Sequence, residues 1–497
     1  MDCVARLCEP SAEASEIEVM EPPSGLAAKL AKASAKRAAA AEQPQGPPPG
    51  YVADFFEHLF GFKERDSSYA EVQDKFALED DGRTLVSKAN SRRFRSGSFT
   101  CPSLRELREA GRQLAADCHP KPCSPNEQAP PVAVRHVLTK GAMEDHADPE
   151  NAGALFQVAS QFNCLEFTSK AGTPDDGVSP YARDPTQGPA CAIACAPGTI
   201  YRNYFLPIPH ADGSQQLGQT REKQLDTLQD FAHLLGNNEE LDSAGRGRYF
   251  WLENGYVCSD RERLQALSTR LESLGAEGQD ELRAALRVGF TYGADVVVHG
   301  AMRAKKIMAS SYFLVGEDNE VQSGGASSSQ YQQVTQVYSA ALNVISSETD
   351  PRDWEPFARL VLEATYEAAL WAALRNMRQS EEDAKARGCA APSASRRVIL
   401  TLVGGGVFGN RPEWIADAIN RALAVLAEAA PSEGWGLEVC VAHFRSISQG
   451  LQDCIRLGAP TRLLPWTCEA CACEVPALEK CKKCARQRPP LVGIAPP

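Results

Sequence analysis

The chain has 497 residues, 43% of them hydrophobic and 23% charged, a globular composition with room for about three average domains. No run approaches the roughly 20 apolar residues of a membrane span, and the N-terminus lacks the basic-then-apolar pattern of a secretory signal, so a soluble cytoplasmic or nuclear protein is expected. A formal charge of −12 excludes broad charge-driven nucleic-acid binding, and 17 cysteines without a signal argue for reduced thiols and a metal site rather than a disulfide framework.

Residues 1–50 end in an Ala/Lys run that gives way to Gln, Pro and Gly, with too few large apolar groups to offset ordering entropy, and read as a disordered tail. Folding begins at "YVADFFEHLFGF", whose aromatic rings carry large buried area. A mostly helical N-terminal module is expected over 51–131, closed by the Pro-rich "HPKPCSPNEQAPP".

From Val132 to about residue 447, strand patterns alternate with helical ones, which predicts a three-layer α/β/α unit with a mixed sheet and insertions. The strands are read at Ala154–Ser160, Thr199–Ile208, Tyr249–Val257, Asp295–Gly300, Val334–Val344, Arg397–Val403 and Leu437–Phe444. Helices are read at Arg261–Leu274, Trp354–Met377 and Arg411–Glu428, and the three- and four-residue steps of Phe357, Leu360, Val361, Ala364, Ala368, Trp371 and Leu374 turn one stripe toward a sheet. "GEDNEVQSGGASSSQYQQ" reads as a flexible loop.

Between the strand at Arg397 and the helix that follows stands "GGGVFGN", Gly404, Gly405, Gly406, Val407, Phe408, Gly409 and Asn410. Gly404, Gly406 and Gly409 satisfy G-x-G-x-x-G, Asn410 with Glu413 resembles a capping box, and Pro412 suits a first helical turn. Free N–H groups at a helix start suit a phosphate. A dinucleotide fold would need an acidic residue at the end of the next strand, which instead ends His443, Phe444, Arg445, and no Lys-Ser/Thr pair marks a P-loop.

A glycine loop of this kind, placed before the penultimate helix and final strand of an α/β unit, resembles the diphosphate-binding loop of macro domains. The second resemblance is "FQVASQFN", where Asn163 matches the last Asn of that family's Asn-Ala-Ala-Asn, while Ser160, Gln161 and Phe162 replace the other three. The chain is thus similar to the macro-domain and poly(ADP-ribose) glycohydrolase-like group over about Ala154–Phe444, although that group's glycine run followed by Gln-Glu-Glu is absent. The resemblance implies binding of ADP-ribose or ADP-ribosylated protein, with hydrolysis of an ADP-ribosyl bond as the associated chemistry.

Such hydrolysis needs an acid, a base or an oriented water beside the ribose. The expected catalytic set is Asn163 on a ribose hydroxyl with Glu166, Asp176 or Asp184 as acid or base, and Gln161, Gln187 and Gly188 join the glycine loop as binding residues. Cys191 lies in a first helical turn, but with no histidine nearby in sequence it reads as a small buried side chain.

Near the C-terminus Cys468, Cys471, Cys481 and Cys484 form C-x2-C-x9-C-x2-C, which predicts a structural zinc knuckle over 465–488. It is similar to the first half of a MYND-type finger. Two alternatives stay open: a non-catalytic ADP-ribose reader, and a zinc-knuckle interaction protein whose glycine loop is only a turn.

Overall fold

The computed structural model describes residues 55–463 apart from 118–131, 211–212, 299–330, 346–348 and 433, together with short pieces between 466 and 478. The expected tail, most of the loop at 316–333, and Cys468, Cys481 and Cys484 lie outside the described residues; Cys471 is described and half-buried. Three of the four expected zinc ligands therefore lie outside the described residues.

The N-terminal segment starts with helices Phe55–Phe60 and Tyr69–Asp74, the second opened by a capping box between Ser68 and Glu71. It also holds an antiparallel sheet of β1 (Phe76–Leu78), β2 (Thr84–Ser87) and β3 (Arg93–Arg95), so strands share a segment expected to be mostly helical. Edge-to-face contacts among Phe56, Phe60, Phe62, Phe76 and Phe94 hold it together. Strand β4 (Ser98–Thr100) then joins the main sheet, and helix Leu104–Asp117 packs on the long helix Glu355–Arg387.

The main sheet adds β5 (Val132–Thr139) and β6 (Leu155–Ser160). Two small hairpins follow, β7 (Pro207–Pro209) with β8 (Gln215–Leu217) and β9 (Trp251–Glu253) with β10 (Tyr256–Cys258). The remaining sheet strands are β11 (Gly289–Asp295), β12 (Gln333–Ala340), β13 (Arg397–Leu400) and β14 (Leu437–Phe444), in the order β4-β11-β12-β6-β13-β14-β5. From β12 to β5 all neighbours are parallel, while β11 is antiparallel to both of its own, which makes the sheet mixed. Alternation along the strands splits the core: Leu155, Val398, Leu400, Val439 and Val441 face helices Arg261–Ala285, Glu355–Arg387 and Pro412–Glu428. Phe156, Ile399 and Cys440 face the N-terminal aromatics and the helices at 187–205. This is the expected three-layer α/β/α arrangement around a mixed sheet.

Four expectations need correction. Tyr249–Val257, read as one strand, is the β9–β10 hairpin, turned at Asn254–Gly255. Thr199–Ile208 is helical up to Phe205, with only Pro207 and Ile208 in strand β7: helix Ala196–Ile200 runs into a wide helical turn at Tyr201–Phe205, and Arg202, Asn203, Tyr204 and Phe205 are all buried, leaving no in-out alternation. The strand read at Asp295–Gly300 lies earlier, at Gly289–Asp295, because Gly293 bulges the pairing with β12 and Asp295 ends it by accepting from the Arg95 N–H and Gln333. Asn410 does not cap the helix Pro412–Glu428; Arg411 stands at that position, and the Asn410 amide turns inward. Strand β5 went unread as a strand because an edge strand, half exposed, shows no clean period.

A buried polar chain crosses the layer beside β12. His146 donates from Nδ1 to the Ala142 carbonyl (2.6 Å) and accepts at Nε2 from Gln336 (3.0 Å), and Gln336 accepts from Tyr338. Burial pushes the His146 imidazole down to about 4. Its folded-state value is depressed, so its contribution is intact above about pH 6.5 and is lost as the pH falls toward 4. One proton over that interval corresponds to roughly 3 kcal/mol. Urea unfolding at stepped pH is expected to show this loss in the wild type and a flatter profile in His146→Gln; equal slopes in the two proteins would refute the assignment.

Candidate functional site

The parallel strands β5, β6, β12, β13 and β14 end at one edge, and the chain continues to opposite sides of β6, a position where open α/β sheets hold ligands. The glycine loop leaves β13 there. Gly404 (φ +74°) and Gly409 (φ +71°) adopt left-handed backbone, and a Cβ on Gly409 would lie 2.3 Å from Ile345. The Asn410 amide donates to the Leu342 and Gly404 carbonyls, and the Val344 N–H donates to the Phe408 carbonyl, so the loop is tied to the end of β12.

Three N–H groups of the loop are satisfied within it or by its approach, Gly405 to Leu402, Gly409 to Gly406 and Asn410 to Gly404. Those of Gly406, Val407 and Phe408 meet no acceptor among the described residues. A Cβ on Gly406 would meet nothing within 4 Å, and Val407 is 57% exposed. Three successive outward donors thus precede a 17-residue helix whose N-terminus has no side-chain cap. That arrangement suits an anion.

The facing wall comes from the end of β6 and the β9–β10 hairpin. Phe408 packs on Tyr256, with ring centroids 5.8 Å apart. Tyr256 donates to the Phe167 carbonyl (2.6 Å), which also accepts from Gln161 (2.8 Å), and the Phe167 N–H returns a bond to the Gln161 Oε1 (2.9 Å). Gln161 therefore lies beside the loop, with its amide engaged. Burial pushes the Tyr256 hydroxyl up, and the charge of nearby Asp184 adds to this. Asp184 is half-buried; one carboxylate oxygen accepts from the Thr186 N–H (2.8 Å), and the other meets no donor among the described residues.

The other expected residues lie elsewhere. Asn163 is fully enclosed under the hairpin tip, where a Cβ on Gly255 would touch it at 2.6 Å, and its amide binds Gln224 and the Leu165 N–H. Glu166 forms a two-oxygen pair with Arg202 (3.0 and 3.1 Å), both side chains wholly buried. Burial pushes the Glu166 carboxyl up to about 7 against the pull of Arg202. Asp176 is exposed and caps its own turn by accepting from Thr173. Gln187 opens the helix Gln187–Ala194 but spends its amide on β6, accepting from the Ala159 N–H and donating to the Gln157 carbonyl. Gly188 is there because any Cβ would lie 2.0 Å from the Ala159 carbonyl. Cys191 is fully buried and its thiol is pushed well up by burial.

Tyr256 and Arg202 were not singled out from sequence. The Asn254-Gly255 pair, both at positive φ, is a hairpin signal that would have placed Tyr256 just after a tight turn.

No family model matches the chain, and no curated protein does. Among solved structures, poly(ADP-ribose) glycohydrolase from Thermomonospora curvata bound to the inhibitor ADP-HPD is similar at 12% identity, covering 77% of this chain and 92% of its own, with a TM-score of 0.29. Another structure of that glycohydrolase has the same identity and a TM-score of 0.27.

Proposed function

We propose that the loop Gly404–Asn410 holds the diphosphate of ADP-ribose or a related nucleotide diphosphate, with the distal ribose toward Tyr256 and Asp184. The observation that supports this reading is the row of unpaired N–H groups at Gly406, Val407 and Phe408, at the strand ends and beside an uncapped helix start. Exposed carboxylates would repel a diphosphate, whereas unpaired backbone donors at a helix start attract it.

Hydrolysis of an ADP-ribosyl bond is the finer part of the proposal, and Asp184 is the carboxylate we assign to it. It has an oxygen free to accept a proton or orient water, whereas Glu166 is closed off by Arg202 and Asp176 is spent on its own turn. Calorimetric titration with ADP-ribose is expected to show micromolar-range binding, and absence of binding at millimolar ligand sinks the reading. Release of ADP-ribose from modified protein is expected to fall roughly a hundredfold in Asp184→Asn, the scale of one general acid or base. Binding without any release by wild type would leave a reader, in which Asp184 has no proton to move.

A further inference from the structure

Glu64 belongs to the N-terminal segment, in a short turn Glu64–Asp66, and is 3% exposed. Among the described residues no cation pairs with it. Its carboxylate instead accepts from the Val178 N–H (2.9 and 3.0 Å), the Ser179 N–H (2.5 Å) and the Tyr204 hydroxyl (2.8 Å). Gly177, at φ +74°, makes room for it: a Cβ there would lie 2.5 Å from the Glu64 carboxyl carbon. Successive N–H groups curled around a carboxylate form an anion concavity, here filled by the protein's own side chain. Burial pushes this carboxyl above its ordinary value, and the donors of Ser179, Val178 and Tyr204 oppose that.

What the clasp holds is the turn Ser179–Arg183 and the residue after it. The Tyr181 hydroxyl accepts from the Glu166 N–H (3.0 Å), and the Asp184 N–H donates to the Tyr181 carbonyl (3.0 Å). Asp184 is therefore one turn beyond the Glu64 clasp. The glycine loop is fixed separately, by Leu342 and Val344 at the end of β12.

We propose that Glu64 is a positioning residue of the site: by clasping Gly177–Ser179 it sets Asp184 against the Tyr256 wall and thereby governs recognition of the distal ribose, while leaving diphosphate binding to the glycine loop. This rests on the diphosphate reading above. A carboxylate accepts from all three partners at once; an amide would either set its N–H against the Val178 N–H or reverse the Tyr204 hydrogen bond.

The full chain is titrated with ADP-ribose and with ADP, which carries the adenosine and diphosphate but not the second ribose. Wild type is expected to bind ADP-ribose more tightly than ADP. Glu64→Gln is expected to weaken ADP-ribose about tenfold while ADP stays within about twofold, and Tyr204→Phe, which removes one donor and keeps the charge, about threefold with the same split. If Glu64→Gln fails to fold, Tyr204→Phe reads the same ratio. Equal losses for both ligands, or an unchanged ratio in both variants, overturn the positioning role and leave the diphosphate reading standing. Wild type binding neither ligand overturns both.

Discussion

Replacing Glu367 by glutamine is expected to lower the unfolding free energy by about 3–5 kcal/mol, the cost of breaking a buried ion pair from one side. Glu367 is 1% exposed on the long helix Glu355–Arg387. It accepts from Arg108 Nε (2.5 Å) and Nη2 (2.8 Å), from Arg421 and from Trp371 Nε1 (3.2 Å). Asp280 bridges the same two arginines, at 2.8 Å from Arg108 and 3.0 Å from Arg421. Three helices, Leu104–Asp117, Glu355–Arg387 and Pro412–Glu428, thus meet at one carboxylate, and Arg261–Ala285 joins them through Asp280. In the glutamine variant two guanidinium groups would share only Asp280, which is 41% exposed and screened by water.

Burial works against ionisation of Glu367, yet Arg108 and Arg421 together leave its carboxyl below the ordinary value. The folded-state value is depressed, so the stabilisation is present above about pH 4.5 and is lost as the pH falls through the folded-state value. Urea unfolding at pH 7, followed by tryptophan fluorescence, measures the effect through Trp371 beside the carboxylate. A loss under 1 kcal/mol would mean that the cluster is no more than a surface-like network.

The second large effect is on binding. Gly406→Asp is expected to leave the melting temperature unchanged and to weaken ADP-ribose roughly a hundredfold. The first part follows from the open space around Gly406 and its ordinary backbone. The second follows from a carboxylate about 4 Å from a diphosphate, a repulsion of about 1–4 kcal/mol across the range from water to protein surface. Gly409→Ala is the contrasting control: left-handed backbone and the Ile345 contact at 2.3 Å predict a stability loss of about 2–4 kcal/mol. If Gly406→Asp binds ADP-ribose as wild type does, the outward N–H groups are not the anion site.

Part of the site was legible as letters. A run of glycines between a β-branched strand and a Pro-started helix can be read because glycine and proline constrain the backbone locally, and the loop stands where that pattern put it, at the end of β13. Asp184 and Gln187 were candidates for their residue type and their Gly/Pro-rich surroundings, and of the two only Asp184 keeps a side-chain oxygen without a donor among the described residues. The role expected of Asn163 came from a motif match, whereas its amide is closed under Gly255, a residue 92 positions on that only the hairpin brings near. Among the described residues no helix is long and apolar enough to cross a membrane, as the hydropathy of the sequence had indicated.

By itself the sequence determined the α/β class, the long helices and the sheet strands with strong local signals, since an apolar period or a β-branched run acts within a few residues. Tertiary structure decided the rest. It turned Thr199–Phe205 helical, because Arg202 is held inside the fold by Glu166 and Tyr338. It drew β4 into the main sheet beside β11, nearly 200 residues away, and set Glu64 under the loop that carries Asp184. These are choices between partners distant along the chain, and their free energies depend on burial and geometry that no local window contains.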